Sequence, residues 1–275
     1  GSTPGSATKG HVEKSPRNSP LRNLSRPLVR VAEYVHEKMP GVHPDHITYA
    51  GLLGTSLGTA FLVGSSQASP EYQSAMQAAG ILMIAGGTMC DGIDGALARI
   101  KKAADGGFNT DRGQLVDVVS DRIAEHASSL GRVAIAYLAG NEYAQNMALL
   151  AGATNYIPSM LRARAEAKGI VVSESGSSPI EFAGTRAGRF MANTAAIAVG
   201  AMGYPSIQGA IDTVAVTGNL ASSARRWHAL HQEPQEDADT DPTLQAQAEI
   251  RHDALLKTSA AGIAAQVGIG VLLNS

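Results

Sequence analysis

DGIDGALARIKKAADGGFNTDRGQLVDVVSDR, residues 91–122, places four carboxylates at helical intervals. Asp91 and Asp94 are three apart, Asp117 and Asp121 four apart, so in helices each pair shares one face. Two such faces turned toward each other form a four-carboxylate pocket. Oxygen-only donors in that number suit hard divalent cations, Mg²⁺ or Mn²⁺, with substrate phosphates completing the shell. Between the acids, Gly95 and Ala98 leave a small-residue face where a bulky ligand can approach the backbone. Arg99 sits a little over one turn past Asp94, suited to hold a phosphate. Gly113 opens the second half, four residues before Asp117.

Written as a pattern, the stretch is D-x2-D-G-x2-A-R, a connection, then G-x3-D-x3-D. That resembles the signature of the CDP-alcohol phosphotransferase (CDP-alcohol phosphatidyltransferase) family, membrane enzymes that build phospholipid head-group linkages. The connection from Ile100 to Arg112 is longer than in the family pattern. Extra length in a helix-connecting loop costs little closure entropy, so the site is expected to survive it.

Around this stretch the composition sets bounds. The chain has 275 residues and a net charge of −2, so bulk electrostatics name no nucleic-acid partner. A single cysteine, Cys90, excludes an intrachain disulfide and reads as a small buried helix residue. A mean hydropathy of −0.03 is low for a chain with several spans. Polar ends and loops dilute that average. Charge-free windows run over Ile47–Pro70, Tyr72–Cys90, Tyr143–Leu161, Phe190–Ile211 and Thr258–Ser275. Each reaches or nearly reaches the ~20 residues that cross a bilayer. They are rich in Ala, Gly, Ser and Thr, which suit close helix packing in lipid. The fold expected is all-α, an integral membrane bundle of six transmembrane helices with an N-terminal amphipathic interfacial helix.

Residues 1–23 are Ser/Pro/Gly-rich with scattered Lys and Arg, a disordered basic tail without a hydrophobic secretory signal. Leu24, Leu28, Val31, Val35 and Met39 recur at helical spacing, which gives an amphipathic helix suited to a membrane surface or to a core. Pro44 and Asp45 then start the first apolar helix. His43 and His46, three apart, read as interfacial polar residues rather than a metal pair. The third helix is expected over Gly113–Gly140, with Arg132 interrupting its apolar part. The fourth runs from Tyr143 to the basic segment Arg162–Lys168, the fifth from Arg186 to Gly203, and the sixth from Ser206 to Ala224. The domain so defined spans 24–230. Residues 231–275 form an acidic linker and a C-terminal segment, read as a helix pair with a possible extra span over Thr258–Ser275.

Charge sorting supports the membrane reading. Six spans with a cytoplasmic N-terminus put the tail, Lys101/Lys102, Arg162–Lys168, Arg186/Arg189 and Arg225/Arg226 inside. The connections near Ser65–Tyr72, Gly140–Tyr143 and Gly203–Ser206 carry Glu71 and Glu142 and no Lys or Arg. The expected location is the cell membrane, multi-pass, with the acidic site facing the cytoplasm.

The family resemblance, which covers about Leu24–Trp227, implies specific roles. Asp91, Asp94, Asp117 and Asp121 would hold two Mg²⁺ or Mn²⁺ ions, with Asp121 also the general base. Gly95, Ala98, Arg99, Thr110 and Gly113 would contact the CDP moiety of a CDP-linked lipid, CDP-diacylglycerol or CDP-archaeol. The segment Pro44-Asp45-x-x-Thr48 resembles the family's entry to the nucleotide site. A homodimer is implied in the same way.

For the acceptor, Arg164, Arg186 and Arg189, with Lys168 and Arg225, form a candidate anion pocket. The segments RARAEAKG, RAGR and PDHIT are similar to the phosphatidylinositol-phosphate synthase branch, whose acceptor is inositol 1-phosphate. Glycerol 3-phosphate would satisfy the same charges. Positive-inside topology alone would also place basic residues here. Two other classes remain: a soluble helical enzyme using Asp-x-x-Asp on prenyl pyrophosphates, and a non-catalytic membrane scaffold. Charge sorting argues against the first and the complete acid set against the second.

Overall fold

A computed structural model describes residues 21–105, 110–168, 170, 179–231 and 242–274. Among these, ten helices and no strand are present: α1 (Leu21–Lys38), α2 (Pro44–Ser65), α3 (Pro70–Asp105), α4 (Thr110–Leu138), α5 (Glu142–Thr154), α6 (Ile157–Ala167), α7 (Pro179–Ala183), α8 (Arg186–Ala201), α9 (Pro205–Leu230) and α10 (Pro242–Asn274). Residues 1–20 of the expected tail 1–23, the middle of the long connection (106–109), most of the Gly/Ser loop and the acidic linker lie outside the described residues, and 21–23 belong to α1.

The start of α2 follows from its sequence. Pro44 occupies the first turn, where its missing N–H costs nothing, and His43 caps it by accepting from the Asp45 amide at 3.2 Å. From there the chain folds as helical hairpins. Gln77 on α3 donates to the carbonyl of Ala201 at 2.6 Å, and Asn141 donates to Ser206 at 3.2 Å. The α2–α3, α4–α5 and α8–α9 turns therefore gather at one end of the bundle. Gly140 (φ 64°) and Gly203 (φ 91°) make two of those turns with left-handed backbone that disfavours a side chain. An aliphatic cluster of Leu62, Ile84, Ile135, Ile197 and Ala201 fills the space behind them.

Helices α2 and α3 pack backbone to backbone. A Cβ at Gly58 would lie 2.7 Å from the carbonyl oxygen of Gly80, and one at Gly87 2.6 Å from that of Gly51. The small-residue composition seen in the sequence is thus used for close approach. Their outer faces expose Leu53, Leu57, Phe61, Leu82 and Met89. Pro44–Ser65 and Pro70–Ala104 are, among the described residues, the helices long and apolar enough to cross a membrane.

Three expectations change. The N-terminal helix packs on the bundle through Val29, Ala32 and Val35, against Ile93, Ala96, Leu97 and Ile100 of α3, while Val31 and Met39 of the expected stripe are exposed. The expected fourth helix is broken into α5 and α6. Pro158 cannot donate into a continuing helix, and at the break the buried Asn155 accepts a 2.9 Å bond from Asn219 of α9. The C-terminal helix pair is one continuous helix, α10, which packs lengthwise on α4, α5 and α6.

Candidate metal centre

The end of the bundle opposite those three turns carries the acidic stretch. Helix α3 runs past the charge-free window Tyr72–Cys90 to Asp105, so Asp91, Asp94 and Arg99 all ride on it. Asp117 and Asp121 lie in the first half of α4. Asp91, Asp94 and Asp117 each offer an oxygen, and these atoms fall within 4.8 Å of one another. Asp121, one turn beyond Asp117, is close enough for its charge to act at Asp94.

This donor set suits a hard divalent cation. All ligand atoms are carboxylate oxygens, their separation is close to the span of an octahedral Mg²⁺ or Mn²⁺ shell, and a cation there would relieve the repulsion between like charges. Among the described residues this is the group able to hold an ion, and His43 and His46 are not in it. Their rings sit 6.1 Å apart at the entry to α2.

Helix α2 supplies the third wall. Thr48 donates a 2.5 Å hydrogen bond to Oδ2 of Asp94. Pro44 and Asp45 are buried one turn before it. Gly113 of α4 faces Asp45, since a Cβ there would lie 4.0 Å from Asp45 Oδ1. A Cβ at Gly95 would meet nothing within 4 Å, so that face of α3 stands open beside the carboxylates. Arg99 is exposed and Ala98 half-buried on the same helix. Of the residues expected to meet a CDP-lipid, Thr48 contacts Asp94 next to Gly95, and Gly113 faces Asp45, while Ala98 and Arg99 follow on α3. Thr110 begins α4, and its side chain lies outside the described residues.

The basic residues assigned to an acceptor are less alike than the sequence suggests. Arg189 is buried, donating at 2.8 Å to the Gly184 carbonyl and at 3.1 Å to the Ser159 hydroxyl. It ties the start of α8 to α6, the helix that carries Arg164 and leads into Lys168. Arg164 and Lys168 are exposed, and Arg225 is half-buried. The Arg186 side chain lies outside the described residues.

Two structural pairs escaped the sequence reading. Lys101, counted as an inside charge, is buried and donates to the carbonyls of Pro40 (2.8 Å) and Val42 (2.7 Å). Arg132 of α4 pairs with Asp212 of α9, both fully buried, and Gln208 accompanies them by donating to the Arg132 carbonyl at 2.9 Å. One lone charge in each of two apolar stretches was the available signal for that pair.

A family model described as CDP-alcohol phosphatidyltransferase matches residues 41–219. Two solved structures resemble the chain in fold. Both are of the phosphatidylinositol phosphate synthase of Mycobacterium tuberculosis, one with CDP-DAG bound and the other in complex with manganese and citrate. The first is 20% identical at a TM-score of 0.57, covering 76% of this chain and 96% of that one. The second is 19% identical at 0.54, covering 75% and 90%. No curated protein matches the chain.

Proposed function

Because the chain belongs to the CDP-alcohol phosphatidyltransferase family and is a transferase of that family, we propose that it moves a phosphatidyl or archaetidyl group from a CDP-linked lipid to a phosphorylated alcohol, releasing CMP. The observation that carries this reading is the meeting of Asp91, Asp94 and Asp117 within 4.8 Å, beside the open face at Gly95.

Asp91, Asp94 and Asp117, with Asp121 shared, would hold two Mg²⁺ or Mn²⁺ ions. The cation supplies charge neutralisation on the pyrophosphate and polarises the leaving oxygen. Thr48 fixes the Asp94 carboxylate. Pro44, Asp45, Ala98, Thr110 and Gly113 shape the nucleotide site, while Gly95 lets the diphosphate approach the α3 backbone and Arg99 pairs with its charge. Asp121 accepts the proton of the acceptor hydroxyl. The freed oxygen attacks the lipid-side phosphorus, the bond from that phosphorus to the CMP oxygen breaks, and CMP departs.

The acceptor is inositol 1-phosphate. Arg164 and Lys168, exposed on and after α6, with Arg186 and Arg225, would offer its phosphate a cationic rim, and Arg189, buried against Gly184 and Ser159, holds α8 beside it. The relative solved with CDP-DAG, a phosphatidylinositol phosphate synthase, supports this choice. Glycerol 3-phosphate is the second reading, because its phosphate satisfies the same charges. The protein crosses the cell membrane six times, with the acidic site facing the cytoplasm, and forms a homodimer. Supporting the orientation, the three connections without Lys or Arg gather at the end opposite the carboxylates.

The test is CMP release in liposomes with CDP-diacylglycerol and Mg²⁺ or Mn²⁺, comparing inositol 1-phosphate, glycerol 3-phosphate, free inositol and serine. Turnover with inositol 1-phosphate supports the reading. Turnover with glycerol 3-phosphate alone moves the acceptor, and turnover only with free inositol or serine removes the cationic rim. No CMP from any acceptor overturns the proposal.

A further inference from the structure

Lys101 is a long cationic side chain that the fold has taken out of water, with 7% of the residue exposed. Burying an ammonium is costly unless its hydrogens are satisfied. Two of its three donors are directed at the backbone carbonyls of Pro40 and Val42, at 2.8 and 2.7 Å. Both acceptors lie in the short turn between α1 and α2, where no helix partner takes them. The turn ends at His43, whose ring caps α2, and the next residues are Pro44 and Asp45.

The placement along α3 gives the contact its meaning. Lys101 is seven residues beyond Asp94, two turns along the same face. Asp94 accepts from Thr48, the first full turn of α2. The start of α2 is thus fastened to α3 at two points, a carboxylate on one side of Pro44–Asp45 and an ammonium on the other. Only the first fastening belongs to the metal centre.

We propose that Lys101 is a positioning residue for the CDP-binding wall: it sets the register of the turn before α2 against α3 and thereby the place of Pro44 and Asp45. This rests on the CDP-lipid reading above. Lys101 touches no reacting atom and acts through the Pro40–Val42 turn. The carboxylates of the candidate metal centre sit on α3 and α4, and Thr48 keeps its own bond to Asp94 when the Pro40–Val42 turn is released, so nucleotide affinity and metal affinity should respond differently.

The experiment titrates the full-length protein in detergent with CDP in saturating Mn²⁺, and separately with Mn²⁺ alone, for wild type, Lys101→Met and Lys101→Gln. CDP affinity is expected to fall about tenfold in Lys101→Met, the scale of one charged hydrogen bond, while Mn²⁺ affinity changes by less than about threefold. Lys101→Gln retains one amide donor, falls between the two, and serves where the Met variant fails to fold. Unchanged CDP affinity in a folded variant overturns the proposal, and so does a parallel loss of CDP and Mn²⁺ affinity, the result of general loosening. Failure of the wild-type protein to bind CDP overturns the CDP-lipid reading and this inference together. The two failures are thereby distinguishable.

Discussion

The hydroxyl of Thr48 on α2 is hydrogen-bonded at 2.5 Å to the carboxylate of Asp94 on α3, forty-six residues away in sequence. That bond joins the proposed nucleotide wall to the candidate metal centre. It also fixes which oxygens of Asp94 face the other carboxylates.

Removing it should weaken the centre without unfolding the bundle. Partners that orient metal ligands are typically worth about 10–100-fold in metal affinity or activity. Thr48→Val is expected to lower Mn²⁺ affinity by about tenfold or more, and Thr48→Ser to stay near wild type. Manganese titration followed by electron paramagnetic resonance checks this. Equal affinity in Thr48→Val would show that Asp94 is held by other contacts.

Asp117 and Asp121 share a face of α4, yet only Asp117 joins the close three-carboxylate group. Their amides should behave differently. Asp117→Asn is expected to abolish measurable Mn²⁺ binding. Asp121→Asn should keep most of it while CMP release falls about 10²–10⁴-fold, the usual contribution of a general base. Chelation should silence the wild-type protein, with activity restored by Mg²⁺ or Mn²⁺. Equal loss of metal in both variants would make Asp121 a ligand first.

Arg132 and Asp212 are ion-paired in the middle of the bundle with no exposure to solvent. Breaking such a pair on one side strands a buried charge and costs about 3–5 kcal/mol, whereas replacing both members with apolar residues is often neutral. Asp212→Ala should therefore lower thermal stability sharply in detergent. Arg132→Met with Asp212→Leu should recover most of the loss. A double variant as unstable as the single one would show that loss of the pair itself, rather than a stranded charge, carries the cost.

Helix α10 meets α4 where Gly262 lies against the ring of His126, too close for any side chain. The same ring accepts or donates at 2.7 Å to Tyr156 and lies 3.3 Å from Gln266. Gly262→Val should push α10 off its seat, since overpacking typically costs about 1–3 kcal/mol. Protease cleavage within 242–274 is expected to rise by about tenfold. Unchanged cleavage would place the binding energy of α10 at Leu255 and Ser259, its other buried residues.

What the sequence determined was local. The spacing of Asp91, Asp94, Asp117 and Asp121 follows from the helical repeat, and the apolar windows and turn glycines mark the helix ends, because period and composition need no distant partner. Glycines and alanines in α2 and α3 announced close packing for the same reason. The tertiary structure decided who meets whom. No local pattern tells that Lys101 is a buried strut rather than a surface charge, that Arg132 finds Asp212, that α1 meets α3 through Val29, Ala32 and Val35, or that Arg189 is held by Gly184 and Ser159 while Arg164 faces outward. Those outcomes depend on desolvation, which charges a buried polar group heavily unless a partner from another helix arrives to satisfy it, and that arrival is a property of the packed bundle alone.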